Sequence, residues 1–195
     1  MIDAQALGWD ANDFRRLREI APGGFEEPED IRRVIDWFAY LAEWRTHYQI
    51  RSARSSLHGP RITCIDSAIL SYGLLELLFC DVKRRLLAIH RRDPAGEECG
   101  HCVTLYWNER GRIGAFSKSS FAGLGHRDAV FADEPAIAAS YAEAYIDMGF
   151  EPLYFGVTSL EEIAPDLDWR FDTGALNEIS DRLKDRYEYA FMLAR

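Results

Sequence analysis

With 195 residues, 48% of them hydrophobic and 13% aromatic, the chain is long enough for one well-cored domain and too short to argue for two. A formal charge of −9 and a pI near 5.1 exclude a nucleic-acid partner, because the short basic clusters Arg15-Arg16-Leu17-Arg18 and Lys83-Arg84-Arg85 sit among acidic residues and read as solvated faces. The longest apolar run, 68–79, is interrupted by Glu76 and is too short to span a bilayer; the first residues carry no basic region followed by an apolar stretch, so a soluble, cytoplasmic protein is expected.

In chain order, a first helix is expected over Ala11–Ile20 and a second over 28–48. The second opens on Glu26, Glu27, Glu29 and Asp30 and places Ile31, Val34, Ile35, Phe38 and Leu41 at helical spacing, a stripe that reads as core. Its aromatic residues Trp37, Tyr40 and Trp44 either pack there or line a substrate cleft. Residues 49–61, with Arg51, Arg54 and Arg61, read as a loop that is either a surface connection or a source of oxyanion donors and of charge for an acidic substrate. Thr63-Cys64-Ile65-Asp66 then forms a capping-box pattern ahead of an almost wholly apolar segment through Phe79, which predicts a centrally buried helix with Thr63 as N-cap and Cys64 as its first residue.

A strand is expected over 82–90, a second from Gly100 to Trp107 after a polar loop, a turn at Asn108-Glu109-Arg110-Gly111, and a third strand to Ser117, so that three antiparallel strands back the helix. A Gly-containing loop over 121–131, a helix over 135–148, a strand over 152–157 and a charged terminal helix over 177–192 complete the chain, with no internal repeat or low-complexity tract.

Two features carry chemistry. Cys64 at a helix start lies among unpaired backbone N–H groups and the positive end of the helix dipole, which favour a thiolate; Asp66 opposes this. His101 opens one strand and Ser117 closes the next, so the two come back side by side, and a cysteine, a histidine and a hydrogen-bonding residue in this order fit a nucleophile, a base and an orienting group. The alternative for Cys64 is a small core residue. Cys99-Gly100-His101-Cys102 is a C-x-x-C, but a polar loop precedes it and a strand follows it, the wrong context for a dithiol oxidoreductase. Four cysteines in a reducing compartment read as thiols, no second ligand pair accompanies them for zinc, and no Asp-rich loop suggests calcium; no cofactor is expected.

The order of these residues resembles the transglutaminase-like superfamily, cysteine acyl-transfer proteins with a nucleophile helix packed on an antiparallel sheet. Cys64, His101 and position 117 follow the superfamily's Cys, His, Asp order, and the Gly114-Ala115-Phe116-Ser117-Lys118 segment is similar to a Gly-Ala-Ile-Ser-Lys motif of a bacterial branch described only as transglutaminase-like. The resemblance covers about residues 55–160, and the third position departs from it, being Ser117. A serine accepts a hydrogen bond from the imidazole but brings no charge to stabilise imidazolium, which implies a weaker thiolate–imidazolium pair; Asp128 is a candidate to replace the missing carboxylate, and Lys118 would disfavour His⁺ if it pointed inward.

The expectation is therefore a single α+β transglutaminase-like domain over 1–195, with a helical part at 1–50, a core at 55–160 and a helical C-terminal part at 161–195. The resemblance implies that Cys64 attacks an amide or ester carbonyl of a peptide, a protein or a small acyl compound, His101 moves the proton, Ser117 orients the ring, and water or an amine resolves a thioester. The competing expectation is a domain that keeps the fold and binds a peptide or protein without turnover.

Overall fold

The structure, a computed structural model, describes residues 8–41, 49–171 and 176–191. Helix α1 (Ala11–Ile20) matches its expected bounds and is capped by Asp10, whose carboxylate accepts from the Asn12 and Asp13 N–H groups. The expected helix over 28–48 breaks up. A single 3₁₀ turn (Pro28–Asp30) leads into α2 (Ile31–Trp37), after which Phe38 turns extended (φ −81°, ψ 141°), drops into the core, and hands the chain to strand β1 (Ala39–Tyr40). Of its aromatic residues, Trp37 is 56% exposed, Tyr40 is half-buried in β1, and Trp44 lies outside the described residues.

The expected loop over 49–61 contains helix α3 (Ala53–His58), capped by the Ser52 hydroxyl accepting from the Ser55 N–H, and then strand β2 (Arg61–Ile62), which pairs in parallel with β1. The two-residue bridge is the tertiary contact that ends α2, since it takes Ala39 and Tyr40 out of helical spacing. Helix α4 (Cys64–Leu78) follows with the predicted capping box. Apolar all round, it buries Ile69, Leu70, Leu74 and Leu75 completely, each contributing about 2 kcal/mol of burial.

Strands β3 (Arg84–Arg92), β4 (Glu98–Trp107), β5 (Ile113–Phe116) and β6 (Arg127–Phe131) come next, then helix α5 (Glu134–Asp147), strand β7 (Glu151–Thr158), helices α6 (Leu160–Ile163) and α7 (Asn177–Lys184), and strand β8 (Tyr189–Ala190). The sheet has six strands in the order β6-β5-β4-β3-β7-β8, every pair antiparallel: the three expected behind the helix and the strand expected over 152–157, which is β7, are joined by β6 and β8. Residues 127–131, expected as loop, are its edge strand. The terminal helix stops at Lys184, and the chain turns to lay Tyr189 and Ala190 beside Phe155 and Tyr154.

Strand alternation divides the interior in two. Leu86, Ala88, Cys102, Tyr106 and Phe116 face α4, which α1, α2 and α3 cover from the other side; Leu87, Ile89, Val103, Leu105 and Ala115 face α5 with Ile137, Tyr141 and Tyr145. The protein is thus a mixed α+β domain with a central buried helix on an antiparallel sheet. Among the described residues no helix is long and apolar enough to cross a membrane.

Candidate active site

At the start of α4 the Thr63 hydroxyl accepts from the Asp66 N–H (3.2 Å), and Asp66 Oδ2 accepts from the Thr63 N–H (3.0 Å). Asp66 is fully buried, and Arg51 closes the cap through its backbone N–H (3.0 Å) and guanidinium (3.1 Å). Burial nevertheless pushes the Asp66 carboxyl up to about 7, against the hydrogen bonds from Thr63 and Arg51. Arg54 is likewise structural, gripping buried Asp13 at 2.7 Å and the Gly8 carbonyl, so Arg51 and Arg54 both serve the helix scaffold.

Cys64 is part-exposed, and its environment differs from the expected one. Desolvation raises the thiol's pKa; the backbone N–H of Cys102, the charge of Arg91, and the N–H groups of Ile65 and of Cys64 itself pull it down without prevailing. The helix start does supply its donors, but burial outweighs them, and the resting group is a thiol.

His101 is buried (4% exposed), with Ser117 Oγ 2.9 Å from its Nε2. Ser117 donates its only proton to the Leu124 carbonyl at 2.6 Å, so its oxygen is an acceptor toward the ring. This network assigns the proton to Nε2 and leaves a lone pair on Nδ1, which has no hydrogen bond among the described residues. Burial, reinforced by the charges of Arg91 and Arg127, pulls His101 down to about 3, so the ring is neutral. It is held edge-on by Tyr141 (centroids 6.0 Å apart) and Tyr145 (6.4 Å). Arg127 stacks on Tyr141 at 4.1 Å and Arg91 on Tyr145 at 4.6 Å.

Residues Cys102, Thr104 and Tyr106 of β4 face α4, and Thr104 Oγ1 donates to the Ala68 carbonyl at 2.6 Å. His101, one position out of phase, points to the α5 side of the sheet. The structure therefore brings His101 and Ser117 together and sets Cys64 against the backbone of Cys102, the next residue along; among the described residues no hydrogen bond joins Cys64 to the imidazole.

Asp128 does not replace the absent carboxylate. It is exposed on β6 and paired with Arg32 at 2.7 Å. Lys118 leans outward to the Asp36 carbonyl (3.4 Å). Cys99 and Cys102, three positions apart on one strand, project to opposite faces, and no disulfide joins any of Cys64, Cys80, Cys99 and Cys102. Among the described residues no His, Cys, Asp or Glu cluster is arranged for a metal ion. A groove of about 830 Å³ lined by Glu26, Glu29, Arg33, Phe79 and Trp107 lies at the far end of α4, about 22 Å from Cys64 along the helix.

Sequence reasoning gave no site role to Arg91, Arg127, Tyr141 and Tyr145, although the resemblance to the bacterial branch extends over Arg127 and Tyr141. Two signals were present: Ile89 and Arg91 alternate onto one face of β3, and Tyr141 and Tyr145 are one helical turn apart in α5.

No protein-family model matches the chain, and no curated protein matches it. Among solved structures it is similar to LapG of Legionella pneumophila. The EGTA-treated form is 14% identical with a TM-score of 0.41, over 93% of each chain. A second LapG structure is 13% identical with a TM-score of 0.41, over 93% of this chain and 91% of that one. A likeness this distant carries no argument about the chemistry at Cys64.

Proposed function

We propose that the chain is a transglutaminase-like cysteine acyl-transfer protein in which Cys64 is the nucleophile, His101 the general base and Ser117 the positioning residue. The observation that carries this reading is the tautomer: with Nε2–H held by Ser117 Oγ at 2.9 Å and Ser117 held by Leu124, the imidazole keeps its lone pair at Nδ1 free to accept a proton. Because thiol and imidazole are both neutral, the proton moves as the bond forms. His101 takes the Cys64 proton while the sulfur attacks the carbonyl carbon of an amide or ester; the tetrahedral oxyanion collapses, the amine or alcohol leaves with the proton from His101, and a thioester remains. Water then gives a carboxylic acid, or an amine gives a new amide. Catalytic hydrogen bonds tighten when substrate binds, and Cys64 and His101 must approach at that stage.

The raised pKa of Cys64 and the lack of a hydrogen bond between Cys64 and the imidazole among the described residues favour a second reading, a domain that binds an acyl or peptide partner without turnover. Incubation with an activated ester, followed by mass spectrometry of the intact protein, separates the two. A hydroxylamine-sensitive acyl adduct on Cys64, lost in Cys64→Ser and slowed in His101→Ala, supports acyl transfer; no adduct overturns it.

A further inference from the structure

Arg91 is an arginine on the fourth-from-edge strand β3, only 6% exposed, and no carboxylate pairs with it among the described residues. Its Nη1 donates to the Tyr145 hydroxyl at 3.1 Å, its plane lies 4.6 Å from the Tyr145 ring centroid and 5.2 Å from that of Phe150, and its Nε is buried with no hydrogen-bond partner. A buried cation without a counter-charge is costly unless something else supplies one. Surface arginines of this chain find theirs: Arg92 reaches Glu98 and Glu151, and Arg182 reaches Asp166 and Glu178.

Position sets Arg91 apart further. In the β3–β4 register Ile89 faces His101, so Arg91 and His101 are diagonal neighbours on one face of the sheet, and both rest on Tyr145. In the same register Arg91 lies opposite Cys99, three positions before Cys102, the residue whose backbone N–H meets the Cys64 sulfur. Arg127, the other cation beside His101, is bound to the carbonyls of Gly123, Gly125, His126 and Ser140 and adds no negative charge. With Nη1 engaged, no hydrogen bond with a described residue takes up Nε or Nη2, and these two form the edge that receives a planar carboxylate through two parallel hydrogen bonds.

Resting on the acyl-transfer reading of Cys64, we propose that Arg91 is the specificity-determining residue of the site and binds a carboxylate carried by the acyl substrate, close to the carbonyl that Cys64 attacks. The preferred substrates are then anionic acyl compounds, and neutral ones of the same size are poor.

Paired alkylating agents test this. Iodoacetate and iodoacetamide both react by displacement of iodide by the Cys64 sulfur, but only iodoacetate carries a carboxylate, one bond from the carbon attacked. The ratio of their rates cancels the thiol's own reactivity and any help from His101, so it reports on Arg91 even where acyl transfer fails. The expected iodoacetate-to-iodoacetamide ratio at Cys64 is ~10-fold or more above that of 2-mercaptoethanol, falling to the free-thiol value in Arg91→Met and partly kept in Arg91→Lys. A ratio at or below that of 2-mercaptoethanol in the wild type overturns the proposal, as does a high ratio unchanged in Arg91→Met. Failure of both reagents to label folded wild-type protein at Cys64 also overturns it, because the site is then closed to anions. Should Arg91→Met not fold, the wild-type ratio against 2-mercaptoethanol decides alone.

Discussion

Ser117 Oγ stands 2.9 Å from His101 Nε2 and passes its own proton to Leu124, so it orients the imidazole as a carboxylate would while leaving it without a counter-charge. Restoring that charge should change the chemistry. An aspartate this close favours imidazolium by roughly 1–3 pH units, which in turn favours a thiolate at Cys64. Because the wild-type ring sits at about 3, that shift charges the imidazole only below about pH 6, so Ser117→Asp is expected to raise the rate of Cys64 labelling by iodoacetamide severalfold at pH 5 and little at pH 7, and to lower the melting temperature, since a carboxylate is being buried. An unchanged labelling rate at pH 5 in a folded variant would disconnect Ser117 from the thiol.

The wild-type pH profile follows from burial. Desolvation dominates at Cys64, so its labelling should climb through pH 8 and beyond pH 9 without an earlier plateau. General-base assistance is worth about 10²-fold or more in the acyl-transfer step, and His101→Ala should lose that factor in ester turnover while moving the alkylation midpoint little. A labelling midpoint below pH 8 in the wild type would show that the N–H donors around the sulfur outweigh its burial.

How far the site was legible depends on how local each signal is. The Thr63-to-Asp66 cap and the apolar run behind it are contained in one segment, and they give α4 with its first residue. A short hairpin fixes the register that carries Ser117 to His101. Arg91 shares a strand face with Ile89, but between His90 and Arg92 it reads as part of a surface charge run, and only the packing of Tyr145 of α5 and of Phe150 just beyond it shows it buried. The end of α2 was hidden for the same reason: helical spacing continues past Trp37, and the pairing of Ala39 and Tyr40 with Arg61 and Ile62 comes from residues distant in the chain. The thiol's raised pKa is a property of surroundings that no helix-start pattern contains.

Two buried groups set opposing pH dependences of stability. His101 falls from 6.5 to about 3 on folding, so between those values the unfolded chain binds the extra proton, and its contribution is present above pH 6.5 and lost as pH falls toward 3. Asp66 rises from 3.8 to about 7, so its contribution is present below pH 3.8 and lost as pH rises toward 7. Each has a limiting slope of ~1.4 kcal/mol per pH unit, and in the overlap they offset one another. Urea unfolding of the wild type should therefore change less with pH between roughly 4 and 6.5 than that of a variant lacking either group, with His126, whose pKa burial also lowers, adding a rise of stability toward pH 6.5. His101→Leu should become less stable as pH rises through that window, and Asp66→Asn more stable. Parallel curves for the three proteins would remove both groups from the linkage.

Gly156 on β7 holds the C-terminal segment against the sheet. A Cβ there would run into the backbone carbonyl of Arg186, which cannot yield as a flexible side chain can, and the same segment carries Tyr187, whose ring lies tilted against His90 with centroids 5.0 Å apart, and strand β8. The obstruction is steric and local, since Gly156 has no left-handed backbone to explain it. Gly156→Ala should displace the chain from Arg186 onward and cost about 1–3 kcal/mol by urea unfolding, in the range of other overpacking changes. Trypsin should then cut at Arg186 faster than in the wild type, while the α4 core stays folded by circular dichroism. Equal cleavage rates and equal stability would show that the segment docks without the close approach at Gly156.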